Sequence, residues 1–219
     1  MDRKNSVIQI GDYICAYNTV DFCYRVFPKK DISSNQGKCI YSKKMNINTE
    51  KYLKAFIAQL ENASEMFLMN VDWMISSVCN MRCPYCFANC TGDITDLKIA
   101  KKNADILNSM NLLHITLSGG EPTLNPYLED IIQLLNEEIA ITIDTNGINL
   151  DQYERLLSTL KARKCNLRIT IDSISDHTLQ SIRPSKNGTA YFSKIDEAIS
   201  FFMVNDIPIM IHTVVSKKI

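Results

Sequence analysis

The pattern of apolar and polar residues along the chain changes near residue 66. Before that point, three short runs alternate between apolar and polar residues and are separated by polar segments, which is typical of strands joined by turns. The runs are 7–10, 22–27 and 39–42. Apolar residues then recur at helical spacing over 48–61, which predicts a helix. We interpret residues 1–65 as a small, β-rich N-terminal appendage.

From residue 66 onward, β-branched and other apolar runs alternate with segments of helical periodicity. The predicted strands are 67–75, 113–117, 139–144, 167–172 and 207–215. The predicted helices are 95–110, 126–137, 151–162 and 191–204, with Pro126 in a first turn and Asp151 as a cap. This alternation requires parallel strands joined by right-handed crossovers. The sequence therefore predicts an α/β domain, with a parallel sheet or barrel, over 66–219.

Composition and charge narrow the class of protein. Hydrophobic residues make up 46% and charged residues 22% of the 219 residues, which excludes a disordered tail, a collagen-like rod and a coiled coil. The formal net charge is zero, which disfavours a nucleic-acid partner because phosphate binding requires basic residues. Neither a transmembrane run nor a secretion signal is visible in the sequence. We therefore expect a cytoplasmic protein without a membrane partner.

Four of the eight cysteines follow the first predicted strand of the α/β domain. Cys79, Cys83 and Cys86 form a C-x3-C-x2-C pattern, and thiolates at this spacing can hold one polynuclear centre. An iron–sulfur cluster normally has four cysteine ligands, so three would leave one iron open to a small molecule. Two other interpretations remain: three buried cysteines without metal, or a four-thiolate zinc site that includes Cys90.

Two further candidate loops follow the next two predicted strands. Gly119-Gly120-Glu121-Pro122 combines a carboxylate with two glycines, which permit a ligand to approach the backbone closely. Thr145-Asn146-Gly147 follows the third strand, where a plain turn is an equally good interpretation. Ligands of α/β folds bind beyond the carboxyl ends of the strands. We therefore expect the three loops to share one site.

Together these motifs resemble those of the radical S-adenosylmethionine (SAM) superfamily. The resemblance depends on Cys79, Cys83 and Cys86 in CxxxCxxC spacing, on Gly119-Gly120-Glu121-Pro122 one strand later, and on the strand–helix repeat. It implies a partial (β/α) barrel whose three cysteines bind a [4Fe–4S] cluster. The fourth iron would bind the amino and carboxylate groups of SAM. Reductive cleavage of SAM would then give a 5′-deoxyadenosyl radical that removes hydrogen from a substrate.

The resemblance also assigns roles within the first two loops. Glu121 and the backbone of Gly119 and Gly120 would hold the SAM ammonium group through charge-assisted contacts, with Pro122 completing the motif. Tyr85 occupies the aromatic position before the last cysteine, where the family contacts adenine. A core aromatic residue is the alternative interpretation of Tyr85.

Further positions match the family less specifically. Thr170, at the end of the fourth strand, and Arg183 would hold the SAM carboxylate, the alternative for Arg183 being a solvated side chain. Thr145 and Asn146 would border the adenosyl group. Cys90 would shield the cluster or exchange onto it, or have neither role.

The resemblance implies a peptide, protein or small-molecule substrate, as in peptide-modifying and cofactor-biosynthesis members, and a reducing partner such as flavodoxin or ferredoxin. The family's partial barrel extends beyond the fifth strand, and the cysteine-rich C-terminal region of the SPASM subgroup has no counterpart here. We therefore expect a truncated enzyme or one part of a split protein, with reduced activity in isolation. A non-catalytic metal-binding scaffold is the alternative function.

Overall fold

The computed structural model describes residues 5–10, 13–18, 23–28, 38–39, 67–188 and 190–215. Four N-terminal strands form an antiparallel sheet in the order β1-β2-β3-β4. They are β1 Asn5–Ile10, β2 Tyr13–Asn18, β3 Cys23–Pro28 and β4 Lys38–Cys39. The sequence predicted β1, β3 and β4 approximately and missed β2. The helix predicted over 48–61 lies outside the described residues.

Five parallel strands form a second sheet, in which the spatial order of the strands equals their order along the chain. The strands are β5 Phe67–Ser76, β6 Asn111–Gly119, β7 Ala140–Thr145, β8 Asn166–Thr170 and β9 Ile209–His212. The helices are α1 Leu97–Ser109, α2 Leu128–Leu134, α3 Leu150–Ala162, α4 Asp176–Ile182 and α5 Phe192–Val204. The predicted α/β fold with parallel strands is confirmed.

Alternate residues of the strands form one continuous apolar core with the helices. The buried strand residues include Ile75, Ile115, Leu117, Ile141, Ile143, Leu167 and Ile169. They pack in the same cluster as helix residues Ala104, Ile131, Leu160 and Phe202. Burial of each large aliphatic side chain contributes about 1.5–3 kcal/mol to stability. The core therefore holds the five strands side by side, with their carboxyl ends at the same edge of the sheet. Among the described helices, none is both long and apolar enough to cross a bilayer.

Three details of the helices differ from the sequence-based prediction. Helix α2 begins at Leu128, after Pro126, because a separate 3-10 turn occupies Pro122–Leu124. Asp151 lies inside the first turn of α3, where its charge suits the helix dipole, and Asn149 precedes the helix. Helix α4 was not predicted, since Leu179 is its only buried residue and no apolar periodicity marks it.

Candidate functional site

All the predicted site loops lie at the carboxyl ends of the parallel strands. The cysteine loop, residues 77–96, connects β5 to α1. The glycine-rich motif follows β6, Thr145 ends β7 and Thr170 ends β8. Arg183 caps the carboxyl end of α4, which follows β8. The parallel register thus gathers side chains from four strand ends at one edge of the sheet.

The two glycines bring the chain's own backbone together. Gly119 has φ +148°, and a β-carbon there would lie 2.0 Å from the carbonyl oxygen of Ser76. A β-carbon on Gly120 would lie 2.4 Å from the carbonyl oxygen of Val78. The Gly120 N–H donates to Ser76 at 2.7 Å, and the Glu121 N–H donates to Val78 at 2.8 Å. We expected the two glycines to let a ligand approach the backbone closely. In this structure they instead let the backbone at the start of the cysteine loop, at Ser76 and Val78, approach closely.

Glu121 is fully buried, and donors surround its carboxylate. Oε1 accepts from the Thr123 N–H at 3.2 Å, the Thr123 hydroxyl at 2.7 Å and the Thr145 hydroxyl at 2.7 Å. Oε2 accepts from the Asn146 N–H at 2.8 Å. Burial raises the pKa of Glu121 although these donors lower it. Glu121 therefore holds the loop after β7, beside buried Pro122, and a contact between its carboxylate and SAM stays a prediction.

Asparagine side chains connect the loops to one another. Asn146 Nδ2 donates to Asn80 Oδ1 at 2.7 Å, and Asn80 Nδ2 donates to Asn149 Oδ1 at 3.3 Å. Asn149 Nδ2 then donates to the Thr123 hydroxyl at 2.8 Å. Asn80 directly follows Cys79, so this network fixes the start of the cysteine motif. Sequence reasoning missed Asn80 and Asn149, for which the only signal was their position beside the motifs.

Arg183 is 2% exposed, which excludes the solvated side chain. Its Nη1 donates to the carbonyl oxygen of Thr170 at 2.6 Å, and its Nε lies 3.7 Å from Asp172 Oδ2. The Tyr85 hydroxyl also donates to Asp172, and the Val214 N–H does so at 2.8 Å. Tyr85 is 38% exposed, so it is not a core aromatic residue. Asp172, to which the sequence analysis assigned no role, joins the cysteine loop to the ends of β8 and β9.

The thiols of the cysteine loop lie near one another and near a cation. Cys79 and Cys83 are half-buried, whereas Cys86 and Cys90 are exposed. Burial raises the pKa of Cys79 to about 12. Burial also raises the pKa of Cys83, and the nearby Arg183 guanidinium opposes this rise only in part. In the described part of the chain, no three His, Cys, Asp or Glu side chains are arranged to bind a single metal ion.

The donor set of this loop fits an iron–sulfur cluster. Fe–S clusters are held by cysteine thiolates, and Cys79, Cys83 and Cys86 supply three thiols on one loop. The positive charge of Arg183 beside Cys83 offsets the negative charge that thiolate ligands bring. Outer partners of this kind orient and tune metal ligands.

Polar side chains also lie within strands β6, β7 and β8 of the parallel sheet. Asp144 pairs in register with Arg168, and the two side chains form an ion pair. Among the described residues, Asp144 Oδ1 and Arg168 Nε are buried atoms without a hydrogen-bond partner. Nearby, His114 Nε2 lies 2.7 Å from the Thr142 hydroxyl. Sequence reasoning missed Asp144 and Arg168, although polar side chains at alternate positions are not expected of strands buried on both faces.

Comparison with known proteins is consistent with this site. A family model described as the radical SAM superfamily matches residues 73–217. An uncharacterised protein of Methanocaldococcus jannaschii is 31% identical over 66% of this chain and 52% of its own length. A GTP 3′,8-cyclase of Alkaliphilus oremlandii is 26% identical over 62% of this chain and 45% of its own length. The chain therefore spans about half the length of these curated relatives.

Solved structures with a similar fold include SAM-bound proteins. One is anSMEcpe with bound AdoMet, at 25% identity and a TM-score of 0.58, which covers 68% of this chain and 44% of that protein. Streptococcus suis SuiB bound to its precursor peptide SuiA has a TM-score of 0.63 at 16% identity. That likeness of fold covers 98% of this chain and 57% of the SuiB chain.

Proposed function

Because the chain belongs to the radical SAM superfamily, we propose that it is part of an enzyme that cleaves SAM reductively and removes hydrogen from a substrate. The observation that carries this proposal is the position of the cysteine loop. Its Cys79, Cys83 and Cys86 lie at the carboxyl edge of the sheet, beside the glycine-rich motif and the buried Arg183.

In this proposal, Cys79, Cys83 and Cys86 are the ligands of a [4Fe–4S] cluster. When bound, the cluster supplies the electron that cleaves SAM, and SAM supplies the radical that takes the hydrogen. The protein holds the ligands in place through the hydrogen bonds that connect the cysteine loop to Gly120 and Glu121. Half-burial of the first two thiols limits access of water to the cluster, which protects a reactive intermediate.

SAM would bind along the strand ends next to the thiols. We assign its ammonium group to the backbone of Gly119 and Gly120 and to Glu121. Because the carboxylate of Glu121 already accepts four hydrogen bonds, its main contribution is to fix the surrounding backbone. A preorganised backbone acceptor needs little rearrangement when its ligand arrives.

The SAM carboxylate, beside the ammonium group, and the adenosyl end of SAM would lie toward β8 and the loop after β7. Arg183, with Thr170, is assigned to the SAM carboxylate, since a buried guanidinium retains donors for a carboxylate. Tyr85 is assigned to adenine, and Thr145 and Asn146 to the border of the adenosyl group. The contact between Tyr85 and Asp172 would hold the aromatic ring at the rim of the site.

The substrate would be a peptide, protein or small molecule that reaches the polar face of the sheet. Both kinds occur among similar proteins: SuiB is bound to the peptide SuiA, and another relative is named GTP 3′,8-cyclase. Asp144 and Arg168 form an ion pair on that face. A cytoplasmic flavodoxin or ferredoxin would provide the electron. We also propose that residues 1–65 form an N-terminal appendage to the α/β domain, because β1 to β4 make their own sheet.

Anaerobic reconstitution tests the proposal. The purified chain should bind iron and sulfide and become brown, with broad absorption of visible light. With dithionite as reductant, it should convert SAM to 5′-deoxyadenosine. Cys83→Ala should abolish cluster binding, while Cys165→Ala, which removes a buried thiol outside the loop, should not. A colourless protein that binds stoichiometric zinc would contradict the proposal.

A further inference from the structure

A fourth thiol stands beside the three predicted cluster ligands. Cys90 is exposed, and the hydroxyl of the next residue, Thr91, lies 2.8 Å from the hydroxyl of Ser77, two residues before Cys79. Cys79 interacts electrostatically with Cys90 and Cys83, and Cys83 with Cys86. The four thiols therefore lie on one loop, within electrostatic reach of one another. Neither the family match nor the comparisons assign a role to Cys90.

Two features of the loop place Cys90 at this position. Asn89 has φ +41°, a conformation that asparagine tolerates better than most residues, and it reverses the chain after Cys86. Beyond it, the Ser77 N–H donates to Asp93 O at 2.7 Å and the Gly92 N–H donates to Ser77 O at 3.3 Å. These bonds fasten together the two ends of the loop. As a result, Cys90 returns to the residues that begin the cysteine motif.

A [4Fe–4S] cluster has four irons, and four cysteines are its usual ligand set. Three cysteines leave one iron to be coordinated by SAM, so a SAM-free protein needs another ligand there. Thiolate is the preferred protein ligand of such irons, and the contacts of Thr91 and Gly92 with Ser77 bring Cys90 back toward Cys79.

We propose that Cys90 ligates the fourth iron when SAM is absent and is displaced when SAM binds. The exchange involves no oxidation or reduction. Cys90 releases its proton to solvent when its sulfur binds iron, and it takes a proton back when the amino and carboxylate groups of SAM replace it. This inference rests on the cluster of the proposed function. Its consequence is that Cys90 protects the cluster from losing iron and weakens SAM binding by competition.

The test compares wild-type protein with Cys90→Ala after reconstitution, under controlled ferricyanide oxidation. Conversion to a three-iron cluster is followed by electron paramagnetic resonance. Without SAM, the fourth iron should be lost at least about tenfold faster from the variant, since loss of a partner at a metal site typically costs 10–100-fold in affinity. With saturating SAM, the two proteins should lose iron at equal rates. SAM should also bind several-fold more tightly to the variant.

Matched controls separate ligation from general effects. Cys165→Ala removes a buried thiol elsewhere, and Phe87→Ala changes a 90% exposed side chain in the same loop; both should lose iron as the wild type does. Equal iron loss and equal SAM affinity in wild type and Cys90→Ala would overturn the inference while the cluster assignment stands. Failure of the wild type to bind a cluster would overturn both.

A measurement on the wild type alone keeps the inference testable if Cys90→Ala fails to fold. Mössbauer spectra of the SAM-free protein with ⁵⁷Fe should show all four irons in similar sulfur environments. Addition of SAM should shift one iron of the four. A distinct iron that is already present without SAM would refute ligation by Cys90.

Discussion

Replacement of Glu121 tests whether this residue contacts SAM or positions the site. Its carboxylate is fully buried and accepts two backbone N–H groups, from Thr123 and Asn146, and two threonine hydroxyls. Glu121→Gln keeps the size of the side chain but replaces one acceptor oxygen with a donor. Glu121→Ala removes both acceptors and leaves a cavity.

The contacts determine the expected magnitudes. In either orientation of the amide that Glu121→Gln introduces, one backbone N–H meets an NH2 group, and an unmatched buried donor costs about 1–3 kcal/mol. Because burial raises the pKa of Glu121, the charged carboxylate is costly to bury, and a neutral amide avoids this cost. We therefore expect Glu121→Gln to lower the free energy of unfolding by about 1 kcal/mol, the lower end of that range. Glu121→Ala leaves two backbone donors unmatched, so we expect a loss of roughly 2–5 kcal/mol.

Urea unfolding can be followed through the fluorescence of Trp73, the single tryptophan of the chain, which is 8% exposed. Glu137→Gln, at an exposed position, is the matched control. If Glu121 acts by positioning, SAM affinity and stability fall together. If Glu121→Gln weakens SAM binding tenfold or more while stability is unchanged, about 1.4 kcal/mol or more of direct contact is indicated. A Glu121→Ala protein within about 0.5 kcal/mol of wild type would refute the role of the carboxylate in the fold.

Three further predictions follow from individual contacts. A β-carbon at Gly119 would lie 2.0 Å from a backbone oxygen of β5, so Gly119→Ala should lower the free energy of unfolding by roughly 3 kcal/mol or more. The control is Gly188→Ala, where the added β-carbon would meet open space at φ +66°. This control should lower the free energy of unfolding by only about 1 kcal/mol in the same assay. Burial lowers the pKa of His114 from 6.5 to about 3. Unfolding therefore takes up a proton below about pH 6.5, and stability should fall by about 2 kcal/mol from pH 7 to pH 5; equal pH profiles for wild type and His114→Gln would contradict this. Arg183→Lys keeps the charge but not the fork of donors, so it should weaken stability by about 1–3 kcal/mol and also SAM binding in a titration, whereas exposed Arg155→Lys on α3 should change neither.

The local pattern of residues was sufficient to predict most elements of the α/β domain. Apolar runs such as Ile139–Asp144 and the helical periodicity of 151–162 lie within one or two residues of β7 and α3. The pattern failed where few residues contact the core. Helix α4 buries only Leu179, and its ends are set by contacts distant in sequence, such as those of Asp176 with the backbone of Tyr191.

The sequence by itself determined the chemistry that is available: the cysteine motif, the two glycines and the carboxylate beside them, and the order of strands that sends their loops to one edge. Only the tertiary structure decided what each group does there. It turned the glycines toward the backbone at Ser76 and Val78, surrounded Glu121 with donors, and buried Arg183 against Asp172. The reason is physical, since each of these arrangements depends on contacts between residues far apart in the chain. Spacing within a motif is a local property, whereas burial and hydrogen-bond partners are fixed only when strands and loops pack together.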